Sequence, residues 1–464
     1  MHLDAGSDYL YKLLLVYITR KGNLLDRQHR PTSRTALFCL ALLTCPAALA
    51  ADVIITADRL LDVRAGRMIQ NPEILVRDGK VVSIKPDASA RESADTAAAG
   101  ATGPGATRIA LPGMTLVPGL IDMHVHLDSD PTYGGYTNLE YNDRFWSALS
   151  VVHAGKTLDA GFTTVRNLGA SDWNDVGLGQ AIAAGKVRGP RIVPAAWSFG
   201  PTGSHCDSTY FPPSMEEKGP YNADGPDEVR KSIRALRKYG AQVIKICATG
   251  GVFSRNTEPG QQQMNLTEMR AAVDEAKQWG LQIAAHAHGA AGIKDAIRAG
   301  VNTIEHASLI DDEGIALAKK HGAWLSMDIY NGDYTAAEGK KNGVLEDNLR
   351  KDREVTDLQR QNFRKAHAAG VKMVYGTDAG VHPHGGNGKQ FAVMVKYGMT
   401  PLQAIQAATI NASEALARKD VGVVEAGRFA DMVAVAGDPT VNVQLLEAPA
   451  VVIQGGVVVR RSAQ

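Results

Sequence analysis

Two histidines, His124 and His126, alternate with apolar residues in Val117-Pro118-Gly119-Leu120-Ile121-Asp122-Met123-His124-Val125-His126-Leu127. In a strand, positions i and i+2 share a face, so both imidazoles point the same way. Such a pair at the end of a buried strand supplies half of a metal site. The plainer alternative is a pair of hydrogen-bonded core histidines. Four further stretches repeat the theme. Val243-Ile244-Lys245-Ile246-Cys247 carries a lysine among apolar residues, and Ala285-His286-Ala287-His288-Gly289 carries two histidines. Ile304-Glu305-His306 adds one histidine and Gly376-Thr377-Asp378 an aspartate. Singly, each has a structural explanation: His306 as a core histidine, Asp378 as a helix N-cap, Lys245 as a side chain reaching out to water. Together, metal-ligand types at five strand ends favour a metal centre.

Lys245 is the odd member, because an ammonium does not ligate a metal. Burial in an apolar strand disfavours its charge and lowers its pKa. A neutral amine adds CO2 to form a carbamate, an anionic group with two oxygens that can bridge two cations. Four histidines, a carbamate and an aspartate suit two divalent metals, held roughly 3.5–4 Å apart in sites of this kind. Imidazole and carboxylate oxygen both suit Zn2+, with Mn2+, Co2+ and Fe2+ as other fits.

These residues need a scaffold that gathers strand ends. From Pro118 to about Lys419, eight apolar runs alternate with helical patterns, the sign of βα units and a parallel sheet. The runs are Leu120 to Leu127, Thr163 to Asn167, Arg191 to Ala195, Val243 to Cys247, Gln282 to His286, Thr303 to His306, Ala323 to Met327 and Lys372 to Tyr375. Between them lie amphipathic segments such as Glu228 to Tyr239 and Thr267 to Trp279, each stopped by a glycine. The pattern predicts an α/β fold, a (β/α)8 TIM barrel whose functional groups sit at the C-terminal strand ends. An open doubly wound sheet is the other architecture, but no Gly-rich dinucleotide fingerprint follows an early strand.

Both ends of the chain read differently. Asp52 to Ile84 holds short β-rich runs with an Asp78-Gly79 hairpin signal, and the C-terminus repeats that character around Gly455-Gly456. Between Asp87 and Thr107 the chain is rich in Ala, Gly and Ser, as a loop is. The expected organisation is a small β-sandwich domain built from residues 51–117 and 420–464, with the metal-binding barrel, residues 118–419, inserted between them. Residues 1–50 are an N-terminal extension and signal peptide: Arg34 gives a positive flank, Ala36 to Leu43 an apolar run too short to span a bilayer, and Ala48-Leu49-Ala50 a cleavage site. Export to the periplasm or medium after cleavage near Ala50 follows.

At 464 residues the chain can bury a large core. Its 44% hydrophobic and 21% charged residues are those of a globular protein. A net charge of +1 leaves no electrostatic footprint for nucleic acid or an anionic membrane. Cys39 and Cys45 lie in the signal segment, and the pairing of Cys206 and Cys247 is open.

In order, PGLIDMHVHL, VIKICATGG, AAHAHG, NTIEHAS, YGTDAG and GRFADMVAVAGDP resemble the amidohydrolase superfamily over nearly everything after Ala51. Within it the chain is most similar to the imidazolonepropionase-like group, which holds prolidase-type dipeptidases and amidases that hydrolyse ochratoxin A. The resemblance implies His124 and His126 on the more buried metal, His286 and His306 on the other, Lys245 as carbamate bridge, and Asp378 as both ligand and acid/base. Strand five offers two candidates; the family's order selects His286, which leaves His288 facing substrate with a catalytic role. His205, Arg255 and His384, on loops after the strands, are candidate substrate contacts. The expected activity is hydrolysis of the amide bond of an N-acyl amino acid or dipeptide, prolidase- or carboxypeptidase-like, with ochratoxin A-type amides in range. Hydrolysis of a cyclic amide, lactone or ester on the same metals is the enzymatic alternative, and a zinc-binding scaffold the non-enzymatic one. The resemblance also implies a homo-oligomer, with an octamer as one form.

Overall fold

The computed structural model describes residues 52–86 and 106–462. The signal-like segment and most of the Ala/Gly/Ser-rich stretch lie outside these described residues.

The two β-rich ends of the chain meet in one sheet. Its strands are β1 (Val53–Asp62), β2 (Arg67–Gln70), β3 (Glu73–Arg77), β4 (Lys80–Lys85), β5 (Thr107–Pro118), β14 (Met432–Ala436), β15 (Val451–Gln454) and β16 (Val457–Arg461). A single hydrogen-bonded path, β16-β15-β14-β5-β1-β3-β4 with β2 on β1, runs through all eight. The two chain ends, read as building one small β domain, are joined in one continuous sheet. The cause is the long β5, which pairs in parallel with β1 on one side and antiparallel with β14 on the other. Apolar residues from both ends, among them Ile55, Ile74, Leu116, Met432 and Ile453, bury one another in a cluster of their own. Both expected hairpins form. Asp78 and Gly79, with φ of 49° and 74°, link Arg77 to Lys80, and Gly455 and Gly456 link Gln454 to Val457. Positive φ at both central residues matches the twist of the flanking strands.

Eight parallel strands follow in the middle of the chain. They are β6 (Leu120–Val125), β7 (Phe162–Asn167), β8 (Arg191–Pro194), β9 (Val243–Cys247), β10 (Gln282–Ala287), β11 (Thr303–His306), β12 (Trp324–Ser326) and β13 (Met373–Val374). Each falls on one of the eight apolar runs. Helices separate them, including Asp143–Asp159, Pro226–Lys238, Leu266–Gln278 and the long Glu346–Ala368. Every residue of β6, β7 and β9 is buried, as continuous apolar runs in a sheet covered on both faces must be. β6-β7-β8 form one ladder and β9 to β13 another.

Backbone hydrogen bonds cross both seams between these ladders. At one, Gln242 N donates to Pro194 O at 2.8 Å and Cys247 N to Phe199 O at 2.9 Å. At the other, Met123 N donates to Tyr375 O at 2.8 Å and His126 N to Ala379 O at 2.7 Å. Gly119 joins the small sheet to β6, and only glycine fits there. A Cβ would stand 2.3 Å from Thr163 Oγ1 and 2.8 Å from Asp431 Cβ.

Candidate metal centre

The strand ends bring the anticipated residues to one cavity of about 480 Å3, lined by His124, His126, His205, Lys245, His286, His288, His306 and Asp378. His124 and His126 leave β6 on the same face, as the period of two demands. His306 and Asp378 are held with φ of 68° and 55°, in the left-handed region where non-glycine residues are uncommon. Such backbone costs on the order of 1–3 kcal/mol per residue and persists where its surroundings over-determine it. Here Asp378 N donates to His124 O at 2.8 Å and Ala307 N to Ala287 O at 3.1 Å, pinning both turns to neighbouring strands.

The acceptors in the cavity face one another. His126 Nδ1 lies 3.0 Å from Gly169 O; a carbonyl only accepts, so that nitrogen carries the proton and Nε2 presents a lone pair. That Nε2 is 3.2 Å from Asp378 Oδ1, and His124 Nε2 is 3.4 Å from the same oxygen. His286 Nε2 is spent on Gly250 O at 3.1 Å, leaving Nδ1 bare, and His306 Nδ1 is spent on Asp328 Oδ1 at 2.9 Å, leaving Nε2 bare. Lone pairs set against a carboxylate call for positive charge or a donor: second protons on the rings, the Lys245 amine beside His124, or cations between them. Burial works against the protons: it pulls His124 down to about 4 and His286 and His288 well below the usual imidazole range. His306 is the exception, since the Asp328 carboxylate outweighs burial and raises it. The donor set therefore fits metal ions. Three groups have ligand atoms within 4.8 Å of one another: His124, His126 and Asp378; His286, His288 and His306; and His306, Asp328 and Asp378.

Lys245 is buried, with Nζ 3.2 Å from His124 Nε2. Desolvation lowers its pKa to about 8, which moves it toward the neutral amine that carbamate formation requires. For Asp378, burial would raise the carboxyl, but His124 and His126 outweigh it and hold it well below the carboxylate range.

Several contributors escaped the sequence reading. Glu305 is fully buried and takes Arg166 Nη2 at 2.7 Å on one oxygen; the other lies 3.1 Å from His124 Nδ1. Arg166 also donates to Met123 O and Thr303 Oγ1, at 2.6 and 2.8 Å. A charged residue in each of two apolar strands was the available signal. Asp328, just past β12, orients His306 and accepts from Gln359 and Asn331; its place at a strand end was the clue.

The remaining candidates divide. His288 lines the cavity with Nδ1 2.8 Å from Ser308 Oγ, its ring stacked on His306. His205 lines it too, stacked on His286 with centroids 4.0 Å apart and hydrogen-bonded to Ser254 at 2.8 Å. Arg255 is exposed, outside the cavity lining, and reaches Tyr136 Oη at 3.2 Å. His384 is buried behind the site, one nitrogen 3.0 Å from His126 O and the other 3.3 Å from Thr157 Oγ1. With both nitrogens taken, it supports the His126 backbone, and it is not among the residues that line the cavity. Cys206 and Cys247 form a disulfide in the cavity wall.

The amidohydrolase family model matches residues 115–460. Ochratoxinase from Aspergillus niger is 30% identical over 363 residues, covering 72% of this chain and 72% of the relative. A Xaa-Pro dipeptidase solved with methionine in its active site is 34% identical, with a TM-score of 0.79 over 88% of this chain and 99% of that one. A prolidase complexed with N-methylphosphonate-L-proline is 28% identical, with a TM-score of 0.79 over 89% of this chain and 100% of that one. A family match over most of the chain, joined to a cavity of inward-facing histidines and aspartates, makes this protein a member of the amidohydrolase family and a hydrolase of amide bonds.

Proposed function

We propose that the chain cleaves the amide bond of an N-acyl amino acid or dipeptide, with prolidase-type and ochratoxin A-type substrates in its range. The observation that carries this reading is the convergence of His124 Nε2 and His126 Nε2 on Asp378 Oδ1, an arrangement of acceptors that calls for a cation. His124, His126 and Asp378 would hold one divalent ion and His286 and His306 the second, with Lys245 as a carbamate between them after its amine adds CO2 and releases a proton. Bound there, two such ions, Zn2+ being well suited, would acidify a water and polarise the scissile carbonyl. Asp378, kept ionised by its neighbours, accepts the proton and passes it to the departing nitrogen. His288, anchored through Ser308, presents its other nitrogen to the substrate, and His205 forms the wall opposite. The seam hydrogen bonds support closure of the two parallel ladders into a (β/α)8 barrel over residues 118–419, carried by a smaller β domain over 51–117 and 420–464.

Export is part of the same reading. The signal-like segment supports it, as does the Cys206–Cys247 bond, because disulfides persist in oxidising compartments. Among the described residues no helix is long and apolar enough to cross a membrane. The homo-oligomer is a proposal to be tested by light scattering.

Chelator-stripped protein, assayed on a panel of dipeptides and N-acyl amino acids while Zn2+ is titrated in, tests the proposal. Recovery of hydrolysis should saturate at about two ions per chain. Full activity at one ion would reject the binuclear centre, and a panel without any turnover would reject the substrate class.

A further inference from the structure

We propose that a second cavity, opening beside the candidate metal centre, is a specificity pocket for an aromatic group of the substrate, so that the chain favours aryl-bearing amides over aliphatic ones. The proposal rests on the amide-hydrolase reading above and extends it. This cavity measures about 320 Å3 and shares Ser129, Phe253 and Val381 with the main one. A substrate seated at the histidines therefore has somewhere to extend. The size is within the range of small-molecule pockets, which begin at about 300 Å3.

The lining states what would extend there. Tyr133, Tyr136, Tyr210, Phe211, Phe253 and Tyr334 come from segments that follow different strands, Tyr334 from the helix Asn331–Glu338, yet all border this space. Three of the four tyrosine hydroxyls are already engaged. Tyr210 Oη donates to Phe253 O at 3.0 Å, Tyr334 Oη accepts from Asn342 Nδ2 at 3.0 Å, and Tyr136 Oη accepts from Arg255 at 3.2 Å. What remains for a ligand is ring surface, which another ring meets edge-to-face or in offset stacking. Asp130 is the one charged residue in the lining, and it is committed to His153 Nε2 at 3.1 Å. The lining itself offers a substrate carboxylate no cation, Arg255 standing outside it on Tyr136, whereas it offers an aryl group several ring faces.

One wall is fixed by backbone contact. Gly134 N donates to Asn342 O at 3.0 Å, and a Cβ on Gly134 or Gly135 would come within 2.5 Å of Asn342 O or Gly343 O. Two loops are thus locked together around the space. Aromatic residues present only for packing would fill it; Tyr133 does pack on Tyr141, Phe145 and Trp146, yet a cavity remains beside it that shares Ser129, Phe253 and Val381 with the one the histidines line.

Matched substrates on the zinc-loaded enzyme test this. N-(2-naphthoyl)alanine is compared with N-acetylalanine, and N-acetyl-naphthylalanine with N-acetylalanine, so that an aryl group is offered on either side of the bond. In one of these pairs kcat/KM should favour the aryl compound by about tenfold or more, as apolar pockets do, and Tyr334→Ala and Phe211→Ala should each erase most of that ratio. No aryl preference in either pair, or a preference that survives both substitutions, overturns the pocket. If the wild type hydrolyses none of these amides, the functional reading is what fails, and calorimetric binding of 2-naphthamide decides the pocket alone. Binding weakened by about tenfold in Tyr334→Ala supports it; equal binding, or none to either protein, overturns it.

Discussion

Asp378 is where assembly and catalysis can be separated. Its Oδ1 sits 3.2 Å from His126 Nε2 and 3.4 Å from His124 Nε2, and its backbone is left-handed, a conformation that Asn also tolerates. Asp378→Asn therefore preserves the turn and leaves one oxygen to ligate, but an amide cannot take up a proton near neutral pH. Turnover should fall by about 10²–10⁴-fold while metal content, measured on the same sample, falls much less. Near-normal turnover in a fully metallated variant would move the proton to another acceptor, with His288 the first to examine. The left-handed φ of His306 and Asp378 was not legible in the sequence, because it follows from hydrogen bonds to strands distant along the chain. Residue type at a strand end was legible, and it picked out His124, His126, Lys245, His286, His306 and Asp378, all of which line the cavity. It did not suffice for Arg255 and His384. Both sit on loops, whose path depends on tertiary contacts that no local pattern encodes, and neither lines the cavity.

Between elements, the informative contact is Arg166 on β7 with Glu305 on β11, both fully buried. Burial alone would raise the Glu305 carboxyl, but the guanidinium outweighs it and holds it well below the usual range. The pair also ties two strands beneath His124, since Arg166 donates to Met123 O. Arg166→Met would leave Glu305 charged and uncompensated, a loss of about 3–5 kcal/mol. Arg166→Met with Glu305→Leu should recover much of it, because apolar residues of similar volume often replace a buried pair without penalty. Urea unfolding of the three proteins checks this; a single variant with the wild-type midpoint would show that the pair does not support the fold. The positions of all eight strands were readable from apolar runs, within about two residues at their ends. Their division into ladders of three and five was not, because that depends on where the inter-strand hydrogen bonds are regular. That both chain ends build one small β domain was readable from their matching β-rich runs; the path of its strands was not, as it rests on β5 pairing with strands from opposite ends of the chain.

At the scale of the whole molecule, the Cys206–Cys247 disulfide connects the loop after β8 to β9, across 41 residues of sequence, with Cα atoms 5.9 Å apart. Cys247 stands two residues beyond Lys245, and Cys206 follows His205, so the bond ties the cavity wall to the strand that bears the lysine. Closing a loop of this length in the unfolded chain is worth at most about 4 kcal/mol on the chain-entropy model. The loop has other anchors: His205 N donates to Gln263 Oε1 at 2.9 Å, and Gly219 N to Asp207 Oδ1 at 2.7 Å. These native contacts survive loss of the disulfide, whereas the constraint on the unfolded chain does not. Cys206→Ala/Cys247→Ala should therefore lower the thermal midpoint clearly while retaining metal and most of its turnover at moderate temperature. Calorimetry of the variant against the oxidised protein reads the first effect, and metal analysis with an amide assay the second. Identical midpoints would mean that the bond does not constrain unfolding, and loss of metal with an unchanged midpoint would mean that it serves Lys245 rather than the fold.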